Sequence, residues 1–142
     1  MVKDAMNKNV VTMDPDVTVQ EAAKKMVGAG TKFIIVTENE KLVGIVTEWD
    51  FVKKIAGEEE FKENAKLKTI MTKKVIVVMP DTEIREAAEI MASNNIKKLP
   101  VVDKNVLIGV VTAMDIVAAE PKLIEQISEL ILTAGKQKPV AG

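Results

Sequence analysis

Apolar residues along this chain follow two rhythms in turn, and the same succession of rhythms is written twice. In the first writing, residues 2–6, VKDAM, make a short amphipathic turn. The β-rich run NVVTM follows and stops at Asp14-Pro15. The spacing then becomes helical, with Val19, Ala22, Ala23, Met26 and Val27 on one stripe. Thr18, with Glu21 three residues later, predicts a capping box at the start of that helix. The runs KFIIV and LVGIVT, separated by the polar TENEK, predict a β-hairpin. A last short helix begins just after Thr47 and ends near Gly57.

Sliding the chain by 65 positions places Gly44 on Gly109 and needs no gap from Val2/Leu67 to Val52/Val117. Met6/Met71, Pro15/Pro80, Asp16/Asp81, Glu21-Ala22-Ala23/Glu86-Ala87-Ala88, Met26/Met91 and Thr47/Thr112 are identical. The second writing therefore predicts the same elements: LKTIM, the β-rich KVIVVM, and a helix on Ile84, Ala87, Ala88, Met91 and Ala92. The hairpin KKLPVV–DKN–VLIGVVT and a helix ending before Pro121 complete it.

The division that follows is residues 1–57 for the first repeat, 58–66 for a linker and 67–120 for the second repeat. The linker is charged and lacks an apolar stripe, so Glu58-Glu59-Glu60 reads as solvated chain rather than a magnesium site. One unit of about 60 residues is marginal for a core of its own. The expected fold is thus an α+β sandwich, two β-α-β-β-α repeats packed sheet to sheet about a pseudo-twofold axis. Residues 121–135 predict a C-terminal helix with Pro121 in its first turn and Gly135 at its end. Its stripe of Leu123, Ile127, Leu130 and Ile131, with Ile124 beside it, suits packing on its own module or on another chain; the former is expected. Residues 136–142 read as a disordered tail.

Composition narrows the chemistry. Apolar residues are 47% and aromatics only 3%, so aliphatic side chains and methionine must fill the interior. With 20 basic and 21 acidic residues the net charge is −1, which offers no basic field to nucleic acid or an anionic membrane. The chain has neither cysteine nor histidine. Disulfides, thiolate nucleophiles and thiolate metal sites are excluded, and the usual general base is missing. The N-terminus has no apolar signal core and no apolar run spans a bilayer, so a soluble cytoplasmic protein is expected.

The most specific motif is GIVTEWD, residues 44–50, repeated as GVVTAMD, residues 109–115. One reading is structural. Thr47 and Thr112 cap the helices they precede, and Asp50 and Asp115 favour the helix dipole by about 0.3–1 kcal/mol each. The other is functional. A helix that opens at the C-terminal end of a strand presents free N–H groups to an anion. A threonine hydroxyl there can bond phosphate or ribose oxygen, and an aspartate one turn in can accept both hydroxyls of a ribose diol. Together they describe a nucleoside or nucleotide site.

On VVTMDPDVTVQEAAKKM with GIVTEWD, and on VIVVMPDTEIREAAEIM with IKKLPVVDKNVLIGVVTAMD, the chain resembles a stand-alone tandem pair of cystathionine-β-synthase (CBS) domains, a Bateman module. The resemblance covers residues 2 to about 117. It implies adenosine-containing ligands such as AMP, ATP or S-adenosylmethionine, bound in clefts between paired domains. It implies that Asp50 and Asp115 hold ribose and that Thr47 and Thr112 lie at the phosphate. It also implies pocket walls around Thr12 and Val77, around Lys32, Phe33 and Ile34, and around Lys97, Lys98, Leu99 and Pro100, and a homodimeric disc. Many binders in the family carry arginine where this chain has Trp49 and Met114, so AMP or another adenosyl ligand is easier to explain than ATP. Trp49 itself is expected to pack rather than to stack on a base.

The function expected is a regulatory module that senses an adenosine-containing metabolite and passes the signal to a partner protein or an assembly state. The alternative is a structural or protein-interaction module with vestigial sites. No enzyme, catalytic cofactor or metal is expected, because the repeated core has no clustered carboxylates, P-loop or zinc spacing.

Overall fold

The computed structural model describes residues 1–57, 62 and 64–132. Its elements, in chain order, are β1 (Thr12–Met13), α1 (Val19–Ala29), β2 (Phe33–Glu38), β3 (Lys41–Thr47) and α2 (Glu48–Gly57), then α3 (Ile84–Asn94), β4 (Lys98–Asp103), β5 (Val106–Thr112), α4 (Ala113–Ala119) and α5 (Ile124–Leu132). Single 3-10 turns occupy Val2–Asp4, Leu67–Thr69 and Pro121–Leu123. The fold is mixed α+β, as expected. Residues 58–61 and 63 of the predicted linker, 133–135 at the end of the predicted C-terminal helix, Gly135 included, and 136–142 of the predicted tail fall outside the described residues. Among the described residues, no helix is long and apolar enough to cross a membrane.

Both hairpins turn through two residues of positive φ: Asn39 and Glu40 at 54° and 66°, Lys104 and Asn105 at 50° and 69°. A pair of left-handed residues matches the twist of a two-residue hairpin loop. Antiparallel β2–β3 pairing runs from Phe33↔Thr47 to Glu38↔Lys41, with a register shift between Val36 and Thr37. Ile34, Ile35 and Val36 are successively buried, as are Leu99, Pro100 and Val101, which is why these strands read as unbroken apolar runs.

The chain forms two compact units that do not follow the repeat boundaries. One comprises Asn9–Val75 with Asn105–Leu107; the other comprises Met1–Lys8, Ile76–Lys104 and the chain from Ile108 onward. The leading turn of each repeat thus belongs to the unit built on the other repeat. In the first unit Leu67 N–H donates to Val17 C=O at 2.8 Å and Lys68 N–H to Pro15 C=O at 3.0 Å. In the second, Val2 N–H donates to Thr82 C=O at 2.8 Å and Lys3 N–H to Pro80 C=O at 3.0 Å. The 65-residue offset maps one set of bonds onto the other. Leu67 is fully buried with Ala22, Ile34, Val36 and Val46, and Val2 with Ala87, Leu99, Val101 and Val111.

The motif glycines serve this exchange. A Cβ on Gly44 would lie 2.6 Å from Met71 Sδ, and one on Gly109 would lie 2.9 Å from Asn7 C=O and 2.8 Å from Met6 Sδ. Beside each glycine the exchanged segment pairs in both directions, Ile45 with Thr72 and Val110 with Asn7.

Two expectations need correction. The run KVIVVM does not form a strand equivalent to β1; it makes one parallel bridge, Val78↔Val101. In the first unit Ile35 N–H donates to Val11 C=O at 3.1 Å. Pro100 stands at the matching position and has no N–H to give, so the ladder is cut short. The predicted capping box on α1 is half made: Thr18 Oγ1 accepts from Glu21 N–H at 3.0 Å, and the described bonds include no return bond. The C-terminal segment behaves as its stripe predicts. Leu123, Ile127 and Leu130 are buried in the second unit's core, while Ile124 is exposed.

Candidate functional site

Each threonine of the repeated motif is the last residue of a strand, and a helix starts at the next residue. Thr47 closes β3 ahead of α2, and Thr112 closes β5 ahead of α4. The first helical N–H of each is tied back to the residue just before the hairpin's other strand: Glu48 N–H donates to Lys32 C=O at 3.2 Å, and Ala113 N–H to Lys97 C=O at 2.8 Å. These bonds hold Lys32 and Phe33 beside Thr47 and Asp50, and Lys97 and Lys98 beside Thr112 and Asp115.

The two aspartates share one contact and differ in the rest. Thr47 N–H donates to Asp50 Oδ2 at 2.7 Å, and Thr112 N–H to Asp115 Oδ2 at 2.9 Å. In the second unit the threonine hydroxyl accepts from Asp115 N–H at 3.2 Å, which completes a reciprocal capping box on α4. In the first unit the hydroxyl instead lies 3.3 Å from Asp50 Oδ2 as a donor. Asp50 is only 8% exposed and is the one buried charged residue among those described. Its other oxygen, Oδ1, lies 3.6 Å from Lys53 Nζ. Asp115 is half-buried, and its Oδ1 has no partner among the described residues.

The remaining predicted residues divide by burial. Thr12, on β1 opposite Ile35, is exposed, as are Lys32 and Val77. Phe33, Lys97 and Lys98 are half-buried. Ile34 and Leu99 are fully buried in the cores of their units and Pro100 is buried. Trp49 is 39% exposed and Met114 61% exposed in the single chain. Lys53 was not singled out by the motif, although its place three residues after Asp50 on a helix puts it on the same face. No group of three or more acidic side chains among the described residues is placed to hold a metal ion; Glu58-Glu59-Glu60 lies outside them.

The CBS domain family model matches residues 2–57 and again 67–122. The chain belongs to this family and carries two copies of the domain. Its curated relatives include an uncharacterised protein of Methanopyrus kandleri, 37% identical over 130 residues. A homoserine O-acetyltransferase of Methanococcus vannielii is 42% identical over 118 residues, and an inosine-5′-monophosphate dehydrogenase of Methanocaldococcus jannaschii 44% identical over 111. The matches take up 90%, 82% and 77% of this chain but 66%, 24% and 21% of the relatives' lengths. Among solved structures, a CBS-domain protein of Agrobacterium tumefaciens superposes with a TM-score of 0.74 at 30% identity, covering 83% of this chain and 91% of its own. The CBS domain pair of protein MJ0100, crystallised with 5′-methylthioadenosine and S-adenosyl-L-methionine, superposes with a TM-score of 0.74 at 31% identity, covering 86% and 96%.

Proposed function

We propose that this chain is a regulatory module that binds an adenosine-containing metabolite of the AMP, ATP or S-adenosylmethionine class at its two strand-to-helix junctions. The observation that carries the reading is the free Oδ1 of Asp115. One carboxylate oxygen is spent on Thr112 N–H, which orients the group, and the other is left to accept a ribose hydroxyl. The bond from Thr47 N–H to Asp50 gives the first junction the same orientation. The similarity to a domain pair crystallised with two adenosyl compounds supports the ligand class. With no arginine between either threonine and aspartate, the junctions suit a monophosphate or an adenosyl ligand without a polyphosphate better than a triphosphate.

Binding alters a partner protein or the assembly state of the chain, a homodimer in this reading, and the chain itself does no chemistry. Occurrence of the same module within relatives named as a transferase and a dehydrogenase supports a regulatory rather than catalytic role. Calorimetry on ligand-free protein with AMP, ATP, S-adenosylmethionine and 5′-methylthioadenosine tests it. At least one must bind, and Asp50→Ala combined with Asp115→Ala must weaken that binding at least tenfold, as loss of charge-assisted hydrogen bonds worth about 1.5–3 kcal/mol each requires.

A second reading, a structural module with vestigial sites, is favoured by the complete capping box at Thr112 and Asp115. It predicts no heat with any of the four compounds and a loss of stability alone in Asp115→Ala.

A further inference from the structure

The two junctions are unequal in one charged residue. We propose that Lys53 is a built-in counterion of Asp50 that sets the first junction's affinity for a nucleoside below the second's; this rests on the ribose role proposed above. Asp50 has both oxygens engaged: Oδ2 by the N–H and hydroxyl of Thr47, and Oδ1 by Lys53 Nζ at 3.6 Å. Asp115 has one oxygen engaged. The offset of 65 puts Ala118 where Lys53 stands, so the second unit has no cation at this place. A diol that donates to Asp50 must first displace an ammonium group, whereas a diol that donates to Asp115 displaces solvent. Lys53 is more than half exposed, so it can swing aside, and its effect is a penalty on binding rather than a block. The same ammonium group, once displaced, would attract a negatively charged ligand. The penalty is therefore read most cleanly with an uncharged ligand. Lys53 is thus a positioning residue that separates two copies of one motif by affinity and by preferred ligand charge.

The test uses 5′-methylthioadenosine, which carries no phosphate, and the full chain. Asp115→Ala leaves only the first junction. Adding Lys53→Met to it should tighten binding about two- to fivefold, the range that an exposed ion pair is worth. Adding Lys53→Arg should leave the affinity of Asp115→Ala unchanged, which a merely steric role for the side chain would not predict. In the reverse experiment Asp50→Asn leaves only the second junction, and Ala118→Lys should weaken binding there by a similar factor. The Asp115→Ala pair decides without the reverse experiment. Equal dissociation constants with and without Lys53→Met overturn the inference and leave the proposed function standing. So does a chain that binds AMP but no methylthioadenosine. No binding of any adenosyl compound to the unaltered chain overturns both.

Discussion

Met71 lies against Gly44 with no space for a side chain between them, since a Cβ on the glycine would fall 2.6 Å from the methionine sulfur. The same relation joins Met6 to Gly109 in the other unit, with a hypothetical Cβ 2.8 Å from the sulfur. The opening glycine of the repeated motif is therefore explained by packing, and only the threonine and aspartate remain for chemistry.

Alanine at either glycine should destabilise the protein, and the two should differ. At both positions the nearest atom is a methionine sulfur, but the main-chain carbonyl behind it is nearer at Gly109, Asn7 C=O at 2.9 Å, than at Gly44, Thr72 C=O at 3.1 Å. Overpacking of this kind costs about 1–3 kcal/mol, with Gly109→Ala at the upper end and Gly44→Ala at the lower. Urea denaturation of the two variants checks the order.

The threonines should also differ. Thr112 caps a helix N–H through its hydroxyl, so Thr112→Ala should cost about 1 kcal/mol of stability. The Thr47 hydroxyl contacts the carboxylate of Asp50 and caps no N–H, so Thr47→Ala should cost less. Thermal melts side by side would show the sequence of stabilities, and an equal loss would refute the assigned bonds.

Ile127 is fully buried on α5. Its replacement by alanine removes three carbons from a packed core and should destabilise by about 2–4 kcal/mol. Ile124→Ala, on the exposed side of the same helix, should change little. Comparable effects at both positions would mean that α5 does not hold the pose described.

Asp16 and Lys68 form an exposed ion pair at 3.0 Å, and the hydrogen bond and charge of Lys68 hold the Asp16 carboxyl below its ordinary value. A depressed folded-state value means that the pair favours folding above the unfolded pKa of about 3.9 and loses that contribution as pH falls below it. NMR titration should find Asp16 titrating low in the unaltered chain and returning towards the ordinary value in Lys68→Met. Because both groups are solvated, the accompanying change in stability should be slight and should fade with salt.

The periodic elements were legible in the sequence because local spacing dictates them. α1 and α3, both hairpins and the stripe of α5 fall where the apolar pattern puts them. The offset of 65 residues also aligned each candidate site residue with its counterpart. What the pattern could not give was partnership between distant segments. Nothing in VKDAM or LKTIM states that each packs on the other repeat, since either hairpin offers an equivalent place. The missing strand in the second repeat was legible in principle: a proline opposite the required acceptor removes a donor, and Pro100 is plain in the sequence. At the site, Thr47, Asp50, Thr112 and Asp115 stood out through repetition. Lys53 did not, because it occurs in only one copy and a search for sameness passes over it. Ile34 and Leu99, placed by resemblance at a pocket wall, have side chains fully buried in the cores of their units.

The exchanged leading turns have a consequence for how the polypeptide can be divided. A cut between residues 57 and 67 severs no element among the described residues, yet each half then lacks the few residues that close its hydrophobic interior, Leu67 for one and Val2 for the other. Each half carries what the other is missing. The halves should be unstable apart and should restore one another on mixing, so the smallest independently folding piece of this polypeptide is the pair.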